Sequence, residues 1–296
     1  MAVGVTTQHP FNEKPYITVT EYLNAPTSID SSNLVVGGNS AAQNAELYNV
    51  IMRASSFMDE YLNQNLNATT QVENQRTRFT PEGFIALHPN NNPVISLSSF
   101  NYGSTPNSLV ALTDCSTVWF EDQQIIIPVS QLSTSYSSQG PLSFGGAGST
   151  RTQIFVNYTY VSGYVNNLIA VANATESFLT VQDSSGLVAG MSLRINDGAN
   201  SENVVVASNY SYGSTTVPLT NALVYSHANT VTLGNMPNTI KQACILVTTA
   251  FLKMRGDSSM TMALSVNPSR SVTNDSIYGT DVSMALQMLD LYKRVR

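Results

Sequence analysis

Apolar residues along the chain fall into two rhythms, and the change between them divides it. Over residues 40–66 the large apolar side chains Leu47, Val50, Ile51, Ala54, Phe57, Met58, Tyr61 and Leu62 recur every three or four positions. That is one face of an α-helix. Ser40, with Gln43 three residues on, fits a capping box at its start. Ordering about 25 backbones costs more than one apolar face returns on burial. The helix therefore needs partners from elsewhere in the chain.

Two later stretches offer them. Pro237 suits a first helical turn, and Ile240, Cys244, Val247, Phe251 and Met254 follow at helical spacing. Ile245, Leu246 and Leu252 make this second helix apolar on more than one side. At the end, Asp281 reads as the cap of a third helix, with Val282, Ala285, Leu286, Leu289 and Tyr292 on one face. Lys293 and Arg294 then stand where cations favour the helix dipole. The pattern predicts that the two ends of the chain meet.

Between them the rhythm shortens to two. Strand-like runs at 72–80, 83–87, 94–102, 109–112, 117–120, 124–129 and 151–161 predict an antiparallel β region. Residues 130–150, rich in Ser and Gly, read as a projecting functional or mobile loop. From 164 to 235 five further runs, at 178–181, 191–195, 203–206, 215–219 and 230–233, recur every 10 to 12 residues. Such spacing suggests a small barrel or sandwich, inserted between helical segments that must pack together. Residues 1–16 carry no periodicity and read as an arm ordered only by a neighbour. Thr18 is placed to cap a short helix ended near Pro26, and 256–280 reads as a linker rich in Ser, Thr and Met.

The fold class is therefore α+β: a helical bundle from the N- and C-terminal segments, an antiparallel β region, and an inserted all-β domain. The regions run 1–163, 164–235 and 236–296. A chain of 296 residues is long enough to bury a substantial core. Only 11% of residues are charged, against about a quarter in an average protein, so the surface is neutral and polar, suited to extended contacts between subunits. The net charge of −6 is uneven. From Pro237 onward there are seven basic and four acidic residues, leaving six basic and fifteen acidic before it. The end is basic and the body acidic, which points to different partners.

Chemistry is sparse. His9, His88 and His227 lie in separate regions with no metal-ligand spacing, so no catalytic residue, metal or cofactor is expected. The run 145–150 (GGAGST) lacks the lysine and frame of a phosphate loop. Asp197 and Glu202 sit in one hairpin and read as turn carboxylates rather than calcium ligands. Cys244 lies in an apolar run and reads as a small buried hydrophobe, not as half of a disulfide with Cys115. No signal sequence or apolar run of membrane-spanning length is present, so a cytosolic, soluble product with no membrane partner is expected.

The order of parts carries a resemblance. ITVTEYL at 17–23, a helix ending ASSFMDEYL at 54–62 and the strand PVISLSSFNY at 93–102 form its first half. MPNTIKQA at 236–243, LKMRG at 252–256 and LDLYKR at 289–294 form its second. Together they resemble the head-tail connector (adaptor, head-completion) proteins of long-tailed bacteriophages. The resemblance implies a structural virion protein of the neck, without catalysis, made in the host cytoplasm and assembled as a twelve-membered ring beneath the portal. It implies a portal protein and a stopper or tail-completion protein as partners, and a channel through which DNA passes without sequence-specific binding. The C-terminal segment, here Tyr292, Lys293, Arg294, Val295 and Arg296, would engage the portal. The β-rich material at 103–235 is extra to the family pattern. A second reading makes the 164–235 insert a carbohydrate- or receptor-binding surface module.

Overall fold

The computed structural model describes residues 14–27, 29–80, 83–115, 117–121, 123–128, 153–256 and 274–294. It is a mixed helical and antiparallel β chain that divides into two compact units, one formed by 1–67 with 165–296 and the other by 68–164. The 130–150 loop and the GGAGST run lie outside the described residues, as do His9 and most of the arm and of the linker.

The first unit begins with α1 (Val19–Leu23), which has a complete capping box: Thr18 Oγ1 accepts from the Glu21 amide, and the Glu21 carboxylate accepts from the Thr18 amide. Tyr16, expected in the arm, belongs to the core instead. It is fully buried, its amide donates to Ser55 Oγ at 3.1 Å, and its hydroxyl donates to Asp59 and accepts from the Leu66 amide.

Helix α2 (Ser40–Leu62) carries the expected apolar face: Leu47, Val50, Ile51, Ala54, Met58 and Leu62 are buried, with Phe57 and Tyr61 partly so. Its cap is one residue earlier than the sequence suggested. Asn39 remains extended and its side chain accepts from the Ala42 amide at 2.9 Å. Gln43 is unavailable to a capping box because its amide group bonds both the N–H and the C=O of Val35 and the C=O of Gly38. The helix also stops short of Leu66. Asn63 turns left-handed at φ 56°, a conformation that asparagine tolerates better than most residues.

Helices α3 (Asn238–Gly256) and α4 (Asn274–Leu289) pack on each other and on α2. Ala250 of α3 and Val282 and Leu286 of α4 form one buried cluster against Phe57 and Tyr61 of α2. Phe57 also meets Phe251 edge to face at 5.8 Å. Ile240, Cys244, Val247 and Leu289 are buried as well. The two ends of the chain thus meet in one hydrophobic interior. Asp281 does not cap α4, which starts seven residues earlier; it pairs with Lys253 of α3 at 2.6 Å. Cys244 and Cys115 are both free, and burial pushes the Cys244 thiol up to about 12.

The same unit holds an antiparallel sheet of β8 (Asn166–Leu168), β13 (Thr232–Gly234), β10 (Ser192–Asn196) and β11 (Glu202–Val205), in the order β11-β10-β13-β8. Strands β9 (Phe178–Thr180) and β12 (Thr216–Pro218) pair separately. Single bridges, Ile169 to Val181 and Val206 to Leu219, link this pair to the chain flanking β8 and β11. β8 is the strand that the hydrophobic pattern missed.

The second unit is two sheets over a common core. Strands β1 (Thr69–Arg78), β7 (Gln153–Ser162), β3 (Val94–Gly103) and β4 (Val110–Ala111) run in the order β1-β7-β3-β4. β2 (Phe84–Leu87), β6 (Gln124–Pro128) and β5 (Trp119–Glu121) form the other sheet. Ile85, Leu87, Phe100, Ile125, Ile127 and Ile154 lie between them. Glu73 accepts from the hydroxyls of Tyr158 and Tyr160 and from the Asn90 amide, while burial beside that carboxylate raises both phenols.

Ile51→Ala, deep in the face of α2, is expected to cost about 2–5 kcal/mol by leaving a cavity in the shared interior. Urea unfolding followed by near-UV circular dichroism measures this. A loss under about 1 kcal/mol would mean that α2 is not packed against α3 and α4.

Candidate functional site

The positions assigned to partner binding lie where the chain ends. After α4 a single 3-10 turn, Asp290–Tyr292, brings the chain back to the C-terminal end of α2. There Gln64 Nε2 donates to the Tyr292 carbonyl at 2.6 Å, and the Arg294 amide donates to the Leu62 carbonyl at 3.1 Å. Leu62 is the last helical residue of α2, and helix ends leave such carbonyls without an intrahelical donor. The Lys293 ammonium stands 4.2 Å over the Tyr61 ring, and the Tyr61 hydroxyl donates to Asp290. Burial and the Asp290 carboxylate push that phenol up to about 12.

Lys293 is thus held against the last turn of α2. Leu291 points away from all of this and is 91% exposed. Val295 and Arg296 lie outside the described residues. Of the five residues assigned to the portal, the structure joins Tyr292, Lys293 and Arg294 to α2 and brings an exposed leucine beside them. The remaining assigned residues, from Leu47 to Leu289, line the helical interior described above.

A second constellation was not foreseen. His227 is buried, with Nδ1 2.8 Å from Asp197 Oδ2 and Nε2 2.9 Å from Glu202 Oε1. Neutral imidazole has one N–H, so only imidazolium donates to both carboxylates. Glu202 also accepts from the amides of Val224 and Tyr225. Burial raises its carboxyl, but these amides and His227 outweigh that and hold it below the usual 4.5. The arrangement staples the 223–227 loop to the β10–β11 hairpin. Both ring nitrogens are occupied, so the group is a structural clasp. Among the described residues no group of three or more His, Cys, Asp and Glu is placed to hold a metal ion.

No protein-family model, curated protein or solved structure matches the chain. What can be said of its role rests on its own residues. No helix among the described residues is long and apolar enough to cross a membrane.

His227→Gln is expected to destabilise the first unit by about 1.5–3 kcal/mol at neutral pH, the worth of hydrogen bonds to charged groups. Because the Glu202 carboxyl is held below its ordinary value, its contribution is complete above about pH 4.5 and is lost as pH falls through the lowered value. Urea titrations at pH 7 and pH 3 should show the gap between wild type and variant closing in acid. A gap that widens contradicts the clasp.

Proposed function

We propose that the chain is a structural head-tail connector: a ring component seated between the portal of a phage virion and its stopper or tail, extending the DNA channel and performing no catalysis. The observation that carries this reading is the closure of the two ends of the chain into one helical interior, with sheet-rich material threaded between them. In this reading α2, α3 and α4 are the bundle, and residues 164–235 form the small barrel or sandwich that decorates it.

The C-terminal turn is the portal-facing element. Its backbone is anchored on α2, which presets the segment before a partner arrives and lowers the ordering cost of docking. Leu291, exposed beside Lys293 and Arg294, supplies apolar area inside a cationic rim. The acidic remainder of the chain, repeated around a ring, would repel DNA phosphates and favour passage over capture.

The test is co-sedimentation of the purified chain with rings of the portal protein from the same phage. Wild type is expected to pellet with the rings, and Leu291→Glu to lose most of that binding while keeping the wild-type melting temperature. Absence of ring binding by the wild type overturns the connector reading. Unchanged binding by Leu291→Glu overturns the assignment of the tail.

A further inference from the structure

Lys14 carries its ammonium to two other groups of the first unit. It pairs with the Asp183 carboxylate and donates to Asn167 Oδ1 at 3.0 Å. Asn167 lies on β8 and is only 2% exposed. Because a lysine ammonium can only donate, it is the oxygen of that amide that faces Lys14, with the carbonyl carbon one bond further on. Ser185 holds both acceptors in place. Its carbonyl accepts from Asn167 Nδ2 at 3.3 Å, and its amide and hydroxyl donate to Asp183 Oδ1 at 3.0 and 2.8 Å. The other carboxylate oxygen, Oδ2, is the one turned to Lys14.

An amine, a carboxamide and a carboxylate held together in this way are the three groups that amide exchange between side chains requires. The amine is the nucleophile and the carboxamide carbon the electrophile, while the carboxylate carries protons from the nitrogen that attacks to the nitrogen that leaves. Keeping such groups in contact is worth an effective concentration of about 10⁵–10⁸ M, ample for a bond that forms only once in the life of the chain. Each position suits its part. Burial of Asn167 keeps water, the competing nucleophile, away from its carbonyl carbon. The Lys14 and Asp183 side chains are each about a third exposed, and all three residues border a cavity of about 420 Å³, which gives the leaving nitrogen a way out.

We propose that Lys14 and Asn167 join in an isopeptide bond, with Asp183 as the catalytic proton carrier. A bond forms between Lys14 Nζ and Asn167 Cγ, and the Cγ–Nδ2 bond breaks. Two of the three ammonium protons pass by way of Asp183 to the departing nitrogen, which leaves as ammonium. Asp183 ends as it began, and nothing is oxidised or reduced. One amide replaces another, so dilution of the released ammonium drives the exchange forward. The bond ties positions 153 apart and closes a covalent loop that includes the whole sequence of the second unit. It uses none of the tail residues and stands apart from the connector reading.

Intact-mass spectrometry of the denatured full chain tests it. The wild type is expected to be one ammonia lighter than its sequence requires, and its tryptic digest to contain a branched peptide joining Lys14 to Asn167. Lys14→Arg is expected to have the full mass of its sequence. Asp183→Asn, which keeps an oxygen for Ser185, is expected to retain the wild-type circular dichroism and to have its full mass too. A wild type at full mass overturns the inference, whether or not the variants fold. Loss of ammonia that persists in Lys14→Arg overturns it as well, and loss of water instead puts the bond on Asp183 and overturns the choice of Asn167. Complete crosslinking in Asp183→Asn overturns the part given to that carboxylate.

Discussion

A lysine in the protein interior ties together three segments that are far apart in sequence. Lys241, 8% exposed on the first turn of α3, places its ammonium 2.5 Å from the Glu21 carboxylate of α1 and 3.2 Å from the Thr232 hydroxyl of β13. A buried charge is tolerable only where it is paired and hydrogen-bonded, and removal of one partner typically costs about 3–5 kcal/mol. Glu21 already caps α1 through the Thr18 amide, so one carboxylate sets both the start of the first helix and the position of the third. Hydrophobic burial alone is non-directional. It brings the ends of the chain together, but the ion pair and the Tyr22–Thr249 hydroxyl contact at 3.2 Å select a register.

That division of labour explains what the sequence made legible. α2 and strands β2, β6 and β7 are visible because each buries one face and leaves the other more open, and burial of this kind writes a period into the chain. The alternating exposure along β1, from Thr69 to Arg78, is the plainest case. Where polar side chains are buried by partners distant in sequence, the period vanishes. Asn166 and Asn167 of β8 look like loop residues, and only their bonds to Tyr16, Lys14 and Ser185 put them inside. Tyr16, beside Pro15, carries no period for the same reason, its burial being set by Ser55, Asp59 and Leu66.

Local chemistry misled in a different way. Asn39 and Ser40 are both good caps, and the choice between them was made by Gln43, whose amide is consumed by the turn at 35–38. Asp281 has the form of an N-cap, yet Lys253 on the neighbouring helix uses it as a counter-ion while α4 begins in the polar run at Asn274. The His227 clasp joins residues 25 and 30 positions apart. No helical or metal-ligand spacing announces it, although Asp197 and Glu202 fall within one hairpin.

The basic C-terminal region also takes on a different meaning. Two of its seven cations, Lys241 and Lys253, form ion pairs within the protein, and a third, Lys293, lies over an aromatic ring. Formal charge therefore overstates how much positive potential this region offers to a partner, because a paired ammonium exerts little field beyond its neighbour. What the segment presents most openly is Leu291, held outward by a turn whose backbone is tied to the end of α2. In the connector reading proposed above, a docking surface built in this way would draw its strength from apolar contact, while the cations at its edge would set the direction of approach.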